Sequence, residues 1–193
     1  MEKIILASAS PRRRELLERI GIPFTVMPSD YEEVFDSSPP LDQVRYLAEM
    51  KVRRLHSLHP ETRKRLVLGA DTCIDLKGRI LGKPRDRSEA RRFLKEMSGT
   101  EHRVLTGVAL WDGSTQHMQV DAAVTTIHVA VLDNREIDWY LDTGEWEGAA
   151  GGYRIQGKGS MFVERIDGCF FNVVGLPIRL FYGMVHAQGY SLL

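Results

Sequence analysis

Residues 3–14 read KIILASASPRRR, a stretch that joins a largely apolar strand, a polar turn and the beginning of a helix. Its first five residues have the length and composition of a short buried strand. Ser10 is a favourable N-cap residue, Pro11 suits the first helical position, and Gly21 is a typical helix stop. We therefore predict a strand that leads through a turn into a helix over 11–20.

The rest of the chain alternates predicted helices with predicted antiparallel hairpins. The expected elements are a strand at 24–28, an acidic loop at 29–40, a helix at 41–58, strands within 66–82, a helix at 87–97, strands at 102–111 and 116–131, a helix at 134–143, a glycine-rich loop at 148–159, a second hairpin made of 160–166 and 169–174, and a helix from 177 onward. This order predicts an α/β fold with a mixed sheet and flanking helices, in preference to an all-parallel sheet.

The composition is that of an ordinary soluble globular protein. The chain has 193 residues, of which 27% are charged and 43% hydrophobic, and 26 Lys and Arg balance 26 Asp and Glu. These values exclude disordered, collagen-like and coiled-coil proteins, and the length predicts one domain over 1–193. No apolar run reaches the roughly 20 residues that span a bilayer, so we expect a cytoplasmic protein with no membrane partner. Cys73 and Cys169 are too few for a disulfide framework or a zinc site, and both are expected to be buried thiols.

The neutral total conceals an uneven distribution of charge. Residues 1–103 contain 21 Lys and Arg against 16 Asp and Glu, a local charge of +5, whereas residues 104–193 contain 5 against 10, a local charge of −5. A basic half favours an anionic ligand bound mainly by the first hundred residues, although solvated helix faces would also account for most of these charges. The excess is too small for a domain that binds duplex nucleic acid.

The predicted helix start at 10–13 combines hydroxyls, free backbone N–H groups and arginines. Ser8 and Ser10 precede the helix, and Arg12, Arg13 and Arg14 occupy its first turn. Cations at the positive end of a helix dipole are unfavourable unless an anion binds there, so this stretch predicts a phosphate site. Arg14 has the weakest claim, since one of three successive helical residues points elsewhere.

Acidic residues that are candidates for catalysis or metal binding occur at two places in the sequence. Asp71 and Thr72 follow an apolar strand in the sequence LGADT, and an Asp leaving a buried strand either caps a turn or binds a metal or water. Asp75 shares the strand face of Asp71 or is a surface residue. Glu32 and Glu33 lie in the acidic loop, where such a pair is solvent-exposed unless the fold brings it to Asp71 to hold Mg²⁺.

Three further polar residues are candidates for a binding site. Lys51 interrupts the apolar stripe of the helix at 41–58, where it either extends to solvent or uses its charge in a site. Lys83 follows a strand and precedes a proline, so its ammonium group has a rigid support from which to reach a phosphate. Gln156 lies in the glycine-rich loop, and its amide has the donor and acceptor needed to read a base edge.

These motifs together resemble one protein family. SASPRR at 8–13, GADT at 69–72, KP at 83–84, GYRIQG at 152–157 and VGLP at 174–177 occur in the order found in the Maf family of nucleoside triphosphate pyrophosphatases. The resemblance covers nearly the whole chain. It implies a fold similar to the inosine triphosphate pyrophosphatases, with a central cleft between two lobes, a divalent metal cofactor (Mg²⁺ or Mn²⁺), release of pyrophosphate from a nucleotide, and a homodimer.

The resemblance also implies roles for individual residues. Asp71 matches the proton acceptor of the family, and seven other positions match residues around the nucleotide, namely Ser8, Arg12, Arg13, Glu33, Lys51, Lys83 and Gln156. Arg12, Thr72 and Gln156 resemble the branch that hydrolyses dTTP and UTP. The sequence departs from the family loop GAYGIQG by one extra residue and by Arg154 in place of glycine.

The resulting hypothesis is hydrolysis of dTTP and UTP to the monophosphate and pyrophosphate. Glu33, and with it Asp71, would hold the metal while Asp71 orients or deprotonates the water that attacks the α-phosphorus; how Asp71 divides these two roles is left open. Two alternatives remain. The same chemistry would act on modified nucleotides in a house-cleaning role, or the protein would be a non-enzymatic regulator of septum formation and cell division.

Overall fold

The computed structural model describes residues 3–191, which form a mixed sheet flanked by helices. The strands are β1 (Ile4–Leu6), β2 (Phe24–Val26), β3 (Val67–Leu76), β4 (Arg79–Leu81), β5 (Glu101–Asp112), β6 (His117–Val129) and β7 (Val163–Asp167). The α-helices are α1 (Pro11–Arg19), α2 (Pro40–Leu58), α3 (Arg87–Met97), α4 (Asn134–Asp142), α5 (Phe170–Val174) and α6 (Ile178–Ala187). Short 3-10 segments cover Pro60–Lys64, Ala150–Gly152 and Lys158–Phe162.

The seven strands pair in the order β2-β1-β3-β5-β6-β7, with β4 attached to β3. β1 is parallel to both β2 and β3, and the remaining pairs are antiparallel. The predicted mixed α/β fold is therefore confirmed. Within residues 3–191, no helix has both the length and the apolar composition required to cross a bilayer.

The pairing of β3 leaves an opening in the sheet. On one side, β3 pairs along its length with β5. On the other side, its first residues pair with β1 and its last residues, 74–76, pair with β4. Among the described strands, none pairs with residues 69–73 on that side. This segment therefore has a strand neighbour on one side only, although its side chains are mostly buried.

Helix α2 lies directly against one face of the sheet because two glycines allow it to approach. A Cβ atom added at Gly107 would lie 2.0 Å from the carbonyl oxygen of Val44, and one added at Gly69 would lie 2.4 Å from that of Ala48. The apolar stripe of α2 packs there against β1, β3 and β5. Helices α1, α3, α4 and α6 contribute to the larger core on the other face.

The prediction of a second hairpin at 160–166 and 169–174 is wrong. Residues 163–167 form β7, which pairs with β6, but residues 170–174 form the helix α5. The side chain of Asn172 is fully buried and donates hydrogen bonds to Val104 O and Thr125 Oγ1, both 2.9 Å away. These contacts with β5 and β6 select a helical turn for the apolar sequence FFNVV, whose composition alone favours a strand.

Candidate active site

A cleft of about 430 Å³ lies at the opening beside residues 69–73 of β3. It is lined by the start of α1, the acidic loop, α2, Lys83 beyond the end of β4, and the glycine-rich segment 148–159, here called the glycine loop. The cleft brings together all of the residues singled out from the sequence as site residues: Ser8, Arg12, Arg13, Glu33, Lys51, Asp71, Thr72, Lys83 and Gln156. Arg14, Glu32 and Asp75 do not line it.

At the centre of the cleft, Lys51 joins two carboxylates. Its Nζ atom lies 2.6 Å from Asp71 Oδ1 and 2.6 Å from Glu33 Oε1, and it donates a longer bond of 3.3 Å to Ala70 O. The side chains of Lys51 and Asp71 are only 7% and 2% exposed. Lys51 therefore does not extend to solvent from its apolar stripe; it neutralises acids that the sequence places 18 and 20 positions away.

The second oxygen of Asp71 is available for chemistry. Asp71 Oδ2 is buried and has no hydrogen-bond partner among the described residues. Burial raises the pKa of Asp71, and Lys51 opposes that effect. A carboxylate with a raised pKa is a stronger base than a free aspartate. Asp71 therefore combines an unused acceptor oxygen with increased basicity.

Glu33 differs from Asp71 in its surroundings. Its side chain is 37% exposed. Partial burial works to raise the pKa of Glu33, but the charge and hydrogen bond of Lys51, followed by the charge of Lys83, lower it below its ordinary value. Glu33 therefore stays ionised over a wider pH range than Asp71.

The two carboxylates are suitable oxygen ligands for a divalent cation. The unpartnered Asp71 Oδ2 and the ionised Glu33 match the preference of Mg²⁺ for one or two carboxylates together with substrate phosphates and water. Within residues 3–191, no group of three or more His, Cys, Asp or Glu side chains could hold a metal. The donor set thus fits a cation that shares its coordination with a nucleotide.

Arg13 connects three parts of the cleft wall. It donates to Ser8 Oγ (2.8 Å), Thr72 Oγ1 (3.1 Å) and Gly175 O (2.9 Å). Burial lowers the pKa of Arg13, although the charge of Asp71 opposes this effect. Gly175, which was not predicted as a site residue, holds this arginine through the backbone of the VGLP motif.

Arg12 and Lys83 have no carboxylate within salt-bridge distance in the described part of the chain. Arg12 is half-buried on the first turn of α1, and Lys83 is exposed between β4 and the buried Pro84. Arg14 instead lies 3.9 Å from Glu18 on the exposed side of the helix. Two cations are therefore presented at the cleft without a fixed anionic partner.

The glycine loop is held in place by hydrogen bonds that the sequence did not reveal. The Tyr153 hydroxyl lies 3.0 Å from Nε2 of the buried His102, and the backbone N–H of Arg154 donates to Tyr140 Oη at 3.0 Å. Gln156 is exposed at the cleft. Tyr153 is part of a recognisable motif, but His102 has no local pattern that marks it, because its partner is 51 positions away.

Two other titratable groups have structural positions. Asp75 is buried and bonds to Arg103 and to the backbone N–H of Gly78, which stabilises the turn between β3 and β4. Cys73 is buried, and burial raises its pKa to about 12. Cys169 is only partly buried, so the prediction that both thiols are buried is wrong for this residue.

Comparison with known proteins places this site in a family. Residues 3–188 match the Maf-like protein family. The chain is 41% identical to the dTTP/UTP pyrophosphatase of Pelotomaculum thermopropionicum over the full length of both proteins. It is 43% identical to the dTTP/UTP pyrophosphatase of Anaeromyxobacter dehalogenans, covering 98% of this chain and 96% of that protein, and 46% identical to that of Alkaliphilus oremlandii, covering 92% of each. The chain belongs to the Maf family.

Proposed function

We propose that this chain hydrolyses dTTP and UTP to the nucleoside monophosphate and pyrophosphate. The observation that carries the proposal is the buried, unpartnered Oδ2 of Asp71 in a cleft that also presents Arg12, Lys51 and Lys83. A base beside several cations suits the attack of water on a polyanionic substrate. The names of the relatives that align over the whole chain support dTTP and UTP as substrates.

Binding of the triphosphate would use the cations and the start of α1. Arg12 and Lys83 have no carboxylate partner to displace, and the N–H groups at the helix start favour an anion. Arg13 would contribute positive charge while it keeps Ser8 and Thr72 in position. The triphosphate is thereby held with its α-phosphorus near Asp71.

Asp71 would orient the attacking water through Oδ2 and accept its proton. Lys51 holds Oδ1, so the carboxylate has one fixed oxygen and one free oxygen. Glu33 and Asp71 are the residues that would hold Mg²⁺ or Mn²⁺, and such a cation, when bound, lowers the pKa of the water and offsets phosphate charge. Pyrophosphate then leaves while the cleft cations stabilise its developing charge.

Base recognition would rest on Gln156. Uracil and thymine present N3–H between two carbonyl oxygens, and an amide side chain is able to donate to one oxygen and accept from N3–H. Thr72 also matches the branch that hydrolyses dTTP and UTP, but its hydroxyl lies 3.1 Å from Arg13 Nη2 and 3.0 Å from Thr106 Oγ1. We propose that Thr72 instead serves substrate binding by fixing Arg13.

A panel of triphosphates tests the proposed function. The purified protein is incubated with dTTP, UTP, CTP, ATP, GTP and modified pyrimidine triphosphates, with and without Mg²⁺ or Mn²⁺, and pyrophosphate and orthophosphate are measured separately. We expect pyrophosphate release that is fastest with dTTP and UTP and depends on the added cation. Release of orthophosphate, or no hydrolysis of any triphosphate, would contradict the proposal.

We also propose a cellular location and an oligomeric state for the protein. The substrates are cytoplasmic nucleotides, so we place the activity in the cytoplasm. The homodimer implied by the family resemblance is checked by analytical ultracentrifugation, where a mass near 21.9 kDa, that of one chain, would exclude it.

A further inference from the structure

We infer that Arg154, together with Arg12, binds the terminal phosphates of the triphosphate and the pyrophosphate product. This inference rests on the proposed function, since it assigns a part of the same substrate to a residue pair. Arg12 belongs to the first turn of α1 and Arg154 to the glycine loop, and both line the cleft. The two guanidinium groups reach the cleft from elements that are distant in sequence.

Two other cations of the cleft are already engaged. Lys51 bonds to Asp71 and Glu33, and Arg13 uses its guanidinium on Ser8, Thr72 and Gly175. Lys83 forms no salt bridge among the described residues either, but its charge acts on Glu33 beside Asp71. Among residues 3–191, neither Arg12 nor Arg154 forms a salt bridge. These two arginines are therefore the pair best placed for a ligand anion.

The charges of the two arginines repel each other when no anion is bound. The pKa of Arg12 is lowered by burial and then by the charge of Arg154, against a smaller opposing effect of Glu15. Two neighbouring guanidinium groups are unfavourable unless a polyanion lies between them, and the planar fork of arginine matches phosphate oxygens. The repulsion between the two arginines thus favours binding of a ligand with several negative charges.

The backbone holds Arg154 in a fixed position. Its N–H donates to Tyr140 Oη, and a Cβ atom at Gly159 would lie 2.8 Å from its carbonyl oxygen. Its Nη2 donates to Glu147 O at 2.6 Å, but its Nε is buried without a partner. The hydrogen bonds of the described residues therefore use only Nη2 of this guanidinium, which leaves donors for a ligand.

The reacting end of the substrate determines which phosphates reach this pair. Attack at the α-phosphorus places that phosphate beside Asp71, whose neighbour Glu33 repels additional negative charge. The β- and γ-phosphates then extend away from Glu33 toward Arg12 and Arg154, two arginines that have no carboxylate partner. A nucleoside monophosphate would not reach them, whereas pyrophosphate would.

The test is a binding measurement on Arg154→Met, which keeps an apolar stem and removes the charge. Calorimetry with Mg²⁺ compares three ligands: a UTP analogue with a non-hydrolysable α,β-imido bridge, pyrophosphate and UMP. We expect affinity for the analogue and for pyrophosphate to fall about 10- to 100-fold, the loss typical of a charge-assisted hydrogen bond, while UMP binding changes by less than about twofold. Arg154→Lys is expected to recover part of the loss, and Arg14→Met, in the same basic stretch as Arg12 but outside the cleft, is the matched control.

Two outcomes would overturn the inference. Unchanged affinity of Arg154→Met for the analogue and pyrophosphate would exclude a phosphate contact. Equal losses for all three ligands, with a lowered melting temperature, would show that Arg154 only braces the loop through Glu147. If the wild type instead releases pyrophosphate from a different nucleotide, the proposed dTTP/UTP specificity fails, and the same comparison with an analogue of that nucleotide still decides the role of Arg154.

Discussion

At the scale of single residues, burial gives Asp71 its character. A carboxylate that is 2% exposed would be costly without a counter-charge, and Lys51 supplies one at 2.6 Å. An aspartate with the ordinary pKa of about 3.9 is a weak base and depends on a metal to ease deprotonation of water. The raised pKa of Asp71 lessens that dependence, because a stronger base accepts the proton more readily.

Replacing Asp71 by Asn tests this role. The amide has nearly the same volume and can still contact Lys51, but it cannot accept a proton, so we expect turnover of UTP to fall about 100-fold or more with the fold intact. Steady-state kinetics and thermal melting measure the two effects. Asp75→Asn is the control, since Asp75 is also buried on β3 but bonds to Arg103 outside the cleft. Near-normal turnover by Asp71→Asn would remove Asp71 from the mechanism.

Gln156 is tested by changing its amide to a carboxylate. In Gln156→Glu the donor is lost and a negative charge faces the carbonyl oxygens of the pyrimidine, so we expect binding of UTP and dTTP to weaken by about 10-fold or more. Pyrophosphate has no base, so its affinity serves as the internal comparison and should fall less. Equal losses for the nucleotides and for pyrophosphate would mean that Gln156 does not read the base.

At the scale of elements, the seating of α2 on the sheet determines where Lys51 lies. Lys51 is about two helical turns beyond Val44, whose carbonyl oxygen rests over Gly107. A bulkier residue on β5 would lift the helix and withdraw the ammonium group from Asp71. The glycines of the sheet therefore contribute to the site although they do not touch it.

Gly107→Ala tests this seating. Its methyl group would meet the backbone of Val44 and Arg45, which cannot rotate away, so we expect a loss of about 1–3 kcal/mol in the free energy of unfolding together with reduced turnover. Urea denaturation and kinetics measure these effects. Gly82→Ala is the matched control, since a Cβ atom there has no neighbour within 4 Å. Similar stability for the two variants would show that α2 adapts without cost.

At the scale of the whole molecule, the cleft is made by both halves of the chain. The basic half provides α1, Lys51 and Asp71, and the acidic half provides the glycine loop, with Arg154 among its 5 Lys and Arg residues. His102 and Tyr153 join this loop to the sheet inside the larger core. Stability of the core and position of the loop are thus linked through a buried histidine.

His102 makes the stability of the protein depend on pH. Burial lowers the pKa of His102 from 6.5 to about 4, a difference that corresponds to about 3 kcal/mol. Because the folded value is below the unfolded one, the contribution is present above pH 6.5 and is lost as the pH falls through 4. We expect wild type to lose about 2–3 kcal/mol more than His102→Gln between pH 7 and pH 4 in urea denaturation.

A second variant tests whether this pH dependence comes from protonation of His102 or from its hydrogen bond with Tyr153. Tyr153→Phe removes the hydrogen bond but leaves His102 buried, so it should keep the pH dependence of the wild type. If His102→Gln loses as much stability in acid as the wild type does, protonation of His102 is not responsible.

Much of the local structure follows from short-range patterns. The predicted helices at 11–20, 41–58, 87–97 and 134–143 agree with α1 to α4 within one residue at each end, because N-caps, glycine stops and apolar spacing act over one or two turns. The same holds for the hairpin of β3 and β4. The motif residues were also identifiable from the sequence, since their residue types and order resemble those of a known family.

The sequence by itself determined the fold class, most of the helix limits and nine of the residues that line the cleft. Only the tertiary structure decided that residues 170–174 are helical, that Lys51 lies between Asp71 and Glu33, and that His102 supports Tyr153. The physical reason is the sequence distance over which the interactions act. A helix start depends on about four neighbouring residues, whereas burial, pKa shifts and ion pairs arise from side chains that meet only after distant segments have packed.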